Sequence, residues 1–191
     1  MPRPNPRRTN QCTLKPEEPL FDVQEEEAKA KVRSRALLLL DQRARSRSEL
    51  HDRLVQAEFD PEVVESVLDD LANVGLLDDA AFAREWVRQR HARRGKSARV
   101  LDRELQRKGV AQADRAEALE QVTQESEQSI MEELAAKKAR SVKTIPEDRA
   151  ERDKALRRIV GVLARRGFNE GASLRVAKAA LEARCAELEN E

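Results

Sequence analysis

The residues with the clearest chemical potential are arginines and lysines, which recur along the chain in blocks. Residues 84–108 carry ten basic residues against three acidic ones, and residues 31–53 carry seven against three. A third block, residues 137–166, carries eleven against four, and acidic segments separate the blocks. Basic blocks of this kind suit a polyanion, either a phosphate backbone or an acidic protein surface. Because basic and acidic blocks alternate three times, the pattern also indicates an internal repeat.

Twelve basic residues are the candidate contact residues for a protein or nucleic-acid partner. Arg84 and Arg88 recur at four-residue spacing, as do Arg99 and Arg103, so each pair shares a helix face. The full set is Arg84, Arg88, Arg90, Arg93, Arg94, Lys96, Arg99, Arg103, Arg107, Lys108, Arg157 and Arg158. Related positions in the first and third blocks hold Arg43, Arg45, Arg47 and Arg53, and Arg165 and Arg166. Stacked units would align these faces into one basic track; the alternative is a set of solvated faces neutralised by the acidic segments.

Catalytic and metal chemistry find little support in the sequence. His51 and His91 both stand among charged neighbours, and we interpret each as a solvated side chain. Gly95-Lys96-Ser97 resembles the end of a phosphate-binding loop, but Arg90 occupies the position where that motif needs glycine. The pairs Asp69-Asp70 and Asp78-Asp79 are explained by surface position and by helix capping. We therefore expect no enzyme activity, no cofactor and no metal site.

Composition points to a helical protein with thin cores. The 191 residues are 39% hydrophobic, 38% charged and only 3% aromatic, a balance that favours helices over strands. Phe82 and Trp86, four residues apart, are expected to pack inside one helical unit. The longest apolar run is far shorter than a membrane span, and no signal peptide is visible. Cys12 and Cys185 lack metal-ligand spacing, so we expect free thiols and a cytoplasmic location.

Helical periodicity divides the chain into a tail and three units. Residues 1–30 are rich in proline and acidic residues and are expected to form a disordered tail. Three-helix units are expected over 31–77, 78–124 and 125–188. Each is too small to bury much surface alone, so we expect them to stack into an elongated, curved body.

The middle helices of the three units align with identical internal offsets. Leu50, Leu101 and Ile159 begin the shared pattern. The offset between copies is 51 residues and then 58, which places seven extra residues between Glu125 and Arg149. Gly109 and Gly167 are expected to end their helices in the left-handed conformation, but Glu58 stands at the equivalent position of the first unit.

Several helix starts and stops are visible in the sequence. Ser46 begins a capping box, and Asp60 before Pro61 starts the third helix of the first unit. Gly75 stops that helix. Asp78 or Asp79 begins the second unit, and Ser97 and Asn169 cap later helices.

Several motifs of this chain resemble those of a known family. Gly75-Leu-Leu-Asp-Asp-x-x-Phe-Ala-x-x-Trp-Val, a following arginine and glycine, and Leu101-x-x-x-Leu-x-x-Lys-Gly-Val are similar to the second repeat of the RecX regulatory proteins. Arg35-Ala-Leu-x-Leu-Leu with Arg45-Ser-Arg-Ser-Glu-Leu resembles the first repeat of that family, and Arg165-Arg-Gly-Phe resembles the third. The resemblance covers about residues 31–185.

This resemblance implies a regulator of the RecA recombinase that is built from tandem three-helix repeats. Proteins of that family bind the groove of the RecA–single-stranded DNA filament and inhibit its ATPase, strand-exchange and co-protease activities, which affects DNA repair, recombination and the SOS response. The expected partner is therefore that filament, with weak direct DNA binding, no membrane association and a monomeric chain.

Two other functions remain open from the sequence. Three-helix units with a basic helix also occur in helix-turn-helix regulators that act directly on duplex DNA. A scaffold that contacts no nucleic acid is the third hypothesis.

Overall fold

The computed structural model describes residues 20–190, which form nine α-helices and no strand. The helices are α1 (Leu20–Gln42), α2 (Arg47–Val55), α3 (Pro61–Asn73), α4 (Asp79–Arg94), α5 (Ala98–Arg107), α6 (Gln112–Leu119), α7 (Gln124–Ala139), α8 (Arg149–Arg165) and α9 (Glu170–Glu189). Along these residues no helix has both the length and the apolar character needed to cross a bilayer.

The helices are grouped into three units of three, each with its own core. In every pair of helices that packs extensively, both helices belong to the same unit. The first core is centred on Leu50, Leu54 and Leu68, the second on Leu101 and Leu105, and the third on Ile159, Leu163 and Leu181. The predicted all-α fold of tandem three-helix units is confirmed.

The predicted disordered tail is wrong for residues 20–30, because α1 begins at Leu20. The sequence pattern placed the start of helix near Val32, where apolar periodicity begins. Residues 23–27 are exposed and bury no apolar stripe, but Lys29 forms an i,i+4 ion pair with Glu25 at 2.8 Å. Residues 1–19, including Cys12, lie outside the described residues.

Local sequence signals set most helix ends. The side chains of Ser46, Asp60 and Asp78 cap α2, α3 and α4 as predicted, and Asn169 caps α9. The cap of α6 is Ala111, with no side-chain hydrogen bond.

The extra residues of the third unit lie in the loop between α7 and α8. This loop spans residues 140–148, whereas only residues 95–97 separate α4 from α5. Asp148 caps α8, so the helix starts later than the predicted start around Thr144. The Arg184 Nε donates a 3.2 Å hydrogen bond to the Val142 carbonyl oxygen, which ties the loop to α9.

The first two units are joined where the first turn of α2 meets the last turn of α5. The Ser46 hydroxyl donates a 2.6 Å hydrogen bond to the Lys108 carbonyl oxygen. The Arg47 backbone N–H donates to Asp79 Oδ1, at the start of α4, over 2.8 Å. Burial raises the pKa of Asp79, and the Arg47 N–H partly opposes that effect.

The second and third units are joined at the equivalent place, 51 residues further along, through backbone donors. The Ser97 N–H donates a 3.0 Å hydrogen bond to the Arg166 carbonyl oxygen at the end of α8. The Ala98 N–H donates to Glu127 Oε1 of α7 over 2.7 Å. The middle helices α8, α5 and α2 therefore run end to end, with the positive N-terminus of one against the negative C-terminus of the next.

This repeated joint explains why Glu58 can stand where the later units have glycine. All three positions are left-handed, with φ of 64° at Glu58, 72° at Gly109 and 85° at Gly167. A Cβ on Gly109 would lie 2.3 Å from Ser48 Cβ, and one on Gly167 would lie 2.2 Å from Val100 Cγ2. Glu58 is exposed and ends the middle helix of the first unit, and no middle helix within residues 20–190 packs against it.

Candidate polyanion-binding surface

Helix α5 presents three exposed arginines at four-residue spacing. Arg99, Arg103 and Arg107 are exposed, and none of them forms an ion pair in the part of the chain that the structure describes. Leu101 and Leu105 on the opposite side are fully buried, which fixes the rotation of the helix. The packing of α5 thus holds these three arginines toward solvent, with no ion-pair partner among residues 20–190.

Helix α4 carries two predicted contact residues that are already paired with acids. Arg84 forms a 2.9 Å ion pair with Glu117 of α6, and Arg88 forms a 2.7 Å pair with Glu85. The hydrogen bond from Arg88 lowers the pKa of Glu85. Both pairs are exposed to solvent, and exposed pairs of this kind contribute little to stability. These arginines could exchange partners at low cost.

The end of α4 adds two basic side chains without such pairs. Arg93 and Arg94 are exposed, and neither forms an ion pair within residues 20–190. The adjoining glycine, Gly95, is left-handed with φ of 55°, and a Cβ there would lie 3.0 Å from Ile130 Cγ2 of α7. The turn that carries these arginines is therefore packed against the third unit.

Three further predicted contact residues surround Trp86. The Arg90 guanidinium lies 3.6 Å from the Trp86 ring centroid, and Lys108 Nζ lies 4.1 Å from it. The indole N–H donates a 3.1 Å hydrogen bond to Glu104, which also pairs with Lys96. The prediction that Trp86 lies inside the core is thus only partly right, because the ring is half-buried beneath cations, whereas Phe82 is buried.

Lys108 also reaches across to the first unit. Its ammonium forms a 2.6 Å ion pair with Glu49, and the two side chains are only 14% and 22% exposed. Partial burial acts to raise the pKa of Glu49, but hydrogen bonds from Lys108 and Arg43 outweigh it, so that the pKa lies below its ordinary value. Lys108 therefore belongs to the joint between units as much as to the surface.

The first unit presents only part of the basic face that the sequence predicted, because Arg43 and Arg53 are exposed but Arg45 and Arg47 are engaged within the unit. Arg47 pairs with Glu65 and Asp69 of α3. Arg45 is buried and donates from Nε to the Leu39 carbonyl oxygen. The α2 positions equivalent to the three arginines of α5 hold Ser48, Asp52 and Gln56.

The third unit does repeat part of the exposed stripe. Arg157 and Arg165 of α8 are equivalent to Arg99 and Arg107 of α5. Arg157, Arg158 and Arg165 are exposed and form no ion pair in the described chain. Because α8 and α5 run end to end, these residues and the α5 arginines follow one another; we call Arg99, Arg103, Arg107, Arg157 and Arg165 the arginine stripe.

Sequence reasoning missed two cationic residues near this stripe, Lys143 and Lys154. The signal was present, because residues 154–169 contain no acidic residue. In the second unit Glu104 pairs with Lys96, but the equivalent acid position in the third unit is Val162.

His91 is buried, so the interpretation of this residue as a solvated histidine is wrong. It is 8% exposed. Its Nδ1 lies 2.8 Å from the Lys96 carbonyl oxygen, and its Nε2 lies 3.0 Å from Ser126 Oγ of α7. His91 thus links the second unit to the third. His51, by contrast, is 30% exposed and lies near Asp52 and Glu65.

Comparison with known proteins identifies the first two units individually. Residues 33–71 match the family profile "RecX, first three-helix domain", and residues 78–119 match "RecX, second three-helix domain".

Relatives extend the match to most of the chain. The chain is 59% identical over 169 residues to Regulatory protein RecX of Corynebacterium efficiens, covering 88% of this chain and 80% of the relative. It is 42% identical over 150 residues to Regulatory protein RecX of Streptomyces lividans, covering 78% and 77%.

Solved structures agree with the fold. A crystal structure of regulatory protein RecX superposes with a TM-score of 0.70 at 25% identity, over 83% of this chain and 76% of that chain. A crystal structure of RecX from Lactobacillus salivarius superposes with a TM-score of 0.65 at 21% identity, over 87% and 99%. With two matched domains and a relative at 59% identity, the chain belongs to the RecX family of regulatory proteins.

Proposed function

We propose that this protein binds the RecA–single-stranded DNA filament and inhibits its ATPase, recombinase and co-protease activities. The observation that carries the proposal is the arginine stripe, whose members lie exposed and without ion pairs on α5 and α8 in the described chain. Unpaired cations at repeated positions suit a ligand whose negative charges also repeat, as they do along a nucleoprotein filament. Such a ligand would meet equivalent groups on successive units.

The end-to-end arrangement of the middle helices supports this function physically. Two hydrogen bonds at each joint hold the helix ends together: Ser46 to Lys108 and Arg47 to Asp79 at the first, and Ser97 to Arg166 and Ala98 to Glu127 at the second. The stripe is therefore carried by a supported row of helices rather than by independent domains on linkers. A preorganised surface loses less conformational freedom on binding.

The alternative, a helix-turn-helix regulator of duplex DNA, is less well supported. In three-helix modules of that type the third helix reads the major groove. Here the third helix of the first unit, α3, contains Glu62, Glu65, Asp69 and Asp70 and no basic residue. A negatively charged helix would be repelled by the DNA phosphates.

The test is the ATPase rate of RecA on single-stranded DNA while this protein is titrated. We expect this protein to inhibit the ATPase of RecA at sub-stoichiometric to micromolar amounts. An unchanged ATPase rate over that range, with the chain shown to be folded by circular dichroism, would contradict it. Tight and sequence-selective binding to a free duplex, measured in parallel, would instead support the helix-turn-helix alternative.

A further inference from the structure

The longer loop of the third unit borders a cationic pocket that the arginine stripe does not include. Residues 141–146 of the loop and the first turns of α8 line an open surface pocket of about 270 Å³. Lys143 from the loop and Lys154 and Arg158 from α8 line it, together with the hydroxyl-bearing residues Ser141 and Thr144. This volume exceeds what one phosphate group needs.

Among the residues that the structure describes, the cations of this pocket have no acidic partner of their own. Lys143, Lys154 and Arg158 are exposed, and none forms an ion pair within the described chain. Lys154 and Arg158 are also four residues apart on α8, where like charges repel each other and destabilise a helix slightly. An anionic ligand would relieve this repulsion.

The second unit shows how the same position looks when it is neutralised. Lys96, which is equivalent to Lys154, pairs with Glu104, which also accepts from the Trp86 indole. In the third unit Val162 replaces that acid. The charge of Lys154 is therefore left available to a ligand.

One acidic residue, Glu151, also lines the pocket. Its Oε2 accepts a 3.2 Å hydrogen bond from the Glu147 backbone N–H, so it has a structural role at the start of α8. Three cations and this one carboxylate leave the pocket lining with a net positive charge.

We infer that this pocket binds a backbone phosphate of a single-stranded nucleic acid. The ammonium groups supply point charges, the guanidinium can engage two phosphate oxygens, and the Thr144 hydroxyl can donate to a remaining oxygen. The Ser141 hydroxyl is already used, because it donates a 2.8 Å hydrogen bond to the Lys138 carbonyl oxygen. Strand phosphates fit better than a buried small-molecule ligand, because the cations that line the cavity are exposed to solvent. This inference rests on the proposed function and adds to it that the third unit contacts the nucleic acid.

The test uses the full chain without RecA, so its outcome is independent of filament inhibition. Binding of a fluorescein-labelled oligothymidine is followed by anisotropy at several salt concentrations. The double substitution Lys154→Gln with Arg158→Gln is expected to weaken binding roughly tenfold at low salt and to reduce the slope of log K against log salt by about 1 to 1.5. The charge-matched control is Arg175→Gln with Lys178→Gln on α9, where both residues are exposed; it should weaken binding less than about twofold.

Glu151→Gln should change the oligonucleotide affinity in the opposite direction. The amide can still accept the Glu147 N–H, but the negative charge is removed, so binding should strengthen about two- to threefold, because phosphate affinity follows local charge. Equal losses of oligonucleotide affinity in the pocket and control variants, or no loss in either, would overturn the assignment of this pocket as the phosphate site.

Two further readouts separate the remaining possibilities. Pyrophosphate should displace the oligonucleotide better than sodium chloride of equal ionic strength, but less well than unlabelled oligothymidine at the same phosphate concentration. Displacement by pyrophosphate as strong as that by oligothymidine would overturn the strand as the source of the phosphate. If the chain fails to inhibit RecA but the pocket variants lose oligonucleotide binding as expected, the proposed function fails while the phosphate site stands.

Discussion

The Ser46 hydroxyl donates a 2.6 Å hydrogen bond to the carbonyl oxygen of Lys108, 62 residues away. This contact joins the start of one middle helix to the end of the next. At the equivalent joint 51 residues later the donor is a backbone group, because the Ser97 N–H donates to the Arg166 carbonyl oxygen over 3.0 Å. Repeat proteins derive part of their stability from such interfaces between neighbours, so substitutions at these joints should affect more than one unit.

Gly109→Ala tests the close approach at the first joint. The new Cβ would meet Ser48 Cβ at 2.3 Å, so the helix ends must separate. The expected destabilisation is about 2–4 kcal/mol, combining the left-handed backbone with overpacking. Urea unfolding followed by circular dichroism gives the value.

Gly75→Ala is the matched control for that substitution. Gly75 has φ of 73°, and a Cβ added there would have no atom within 4 Å. The substitution therefore carries only the backbone strain, about 1 kcal/mol. Equal losses at positions 75 and 109 would show that the joint is not as tight as the structure indicates.

Glu58→Gly should stabilise the protein or leave it unchanged. Glu58 has φ of 64°, a conformation that costs an L-residue about 1 kcal/mol more than glycine, and glycine's greater freedom in the unfolded chain offsets part of the gain. We expect an increase of up to about 1 kcal/mol in unfolding free energy. A clear loss of stability would mean that the Glu58 side chain makes a contact that its exposure does not reveal.

The Glu49–Lys108 pair should make the first joint sensitive to acid. The pKa of Glu49 is lower in the folded state than in the unfolded state. The contribution of Glu49 to the free energy of unfolding is therefore fully present above the unfolded-state pKa and is lost as the pH falls through the folded-state pKa. We therefore expect the joint to weaken below about pH 4.5.

Trp86 offers a direct readout of that change. It is the only tryptophan in the chain, and Lys108 Nζ lies 4.1 Å from its ring. Its emission should change with acid in the wild type and be less sensitive in Glu49→Gln, which should also lose about 1 kcal/mol of stability at neutral pH. Identical acid profiles for the two proteins would contradict a role for Glu49.

His91→Ala should destabilise the joint between the second and third units. The substitution removes the partner of the Lys96 carbonyl oxygen and of Ser126 Oγ. Leaving such buried groups unpaired costs about 1–3 kcal/mol. His51→Ala, at a more exposed site, should stay within about 0.5 kcal/mol of wild type. Thermal unfolding of both variants provides the comparison, and equal melting temperatures would contradict the structural role of His91.

Sequence reasoning predicted those features that depend on short-range signals. The caps at Ser46, Asp60 and Asp78 follow from side chains that bind the first free backbone N–H groups. The repeat offsets placed Gly109 and Gly167 at equivalent helix ends, and φ is positive at both.

Features that depend on contacts between distant parts of the chain could not be predicted, because such contacts leave no local signal in the sequence. Arg45 and His91 read as surface residues because their neighbours in sequence are charged, but tertiary packing buries both. Which basic residues remain free likewise depends on distant acids, such as Glu49 for Lys108 and Glu117 for Arg84. Charge position alone therefore could not separate the arginine stripe from the paired cations.

The most direct test of the account is the inhibition of RecA ATPase by Arg99→Gln with Arg103→Gln. Both residues are exposed and unpaired within the described chain, so the variant should fold like the wild type. We expect that about tenfold more of this variant is needed for half-maximal inhibition, because two charge contacts are lost. The Arg175→Gln with Lys178→Gln control should inhibit as the wild type does. Undiminished inhibition by the Arg99 and Arg103 variant would contradict the assignment of the arginine stripe as the binding surface.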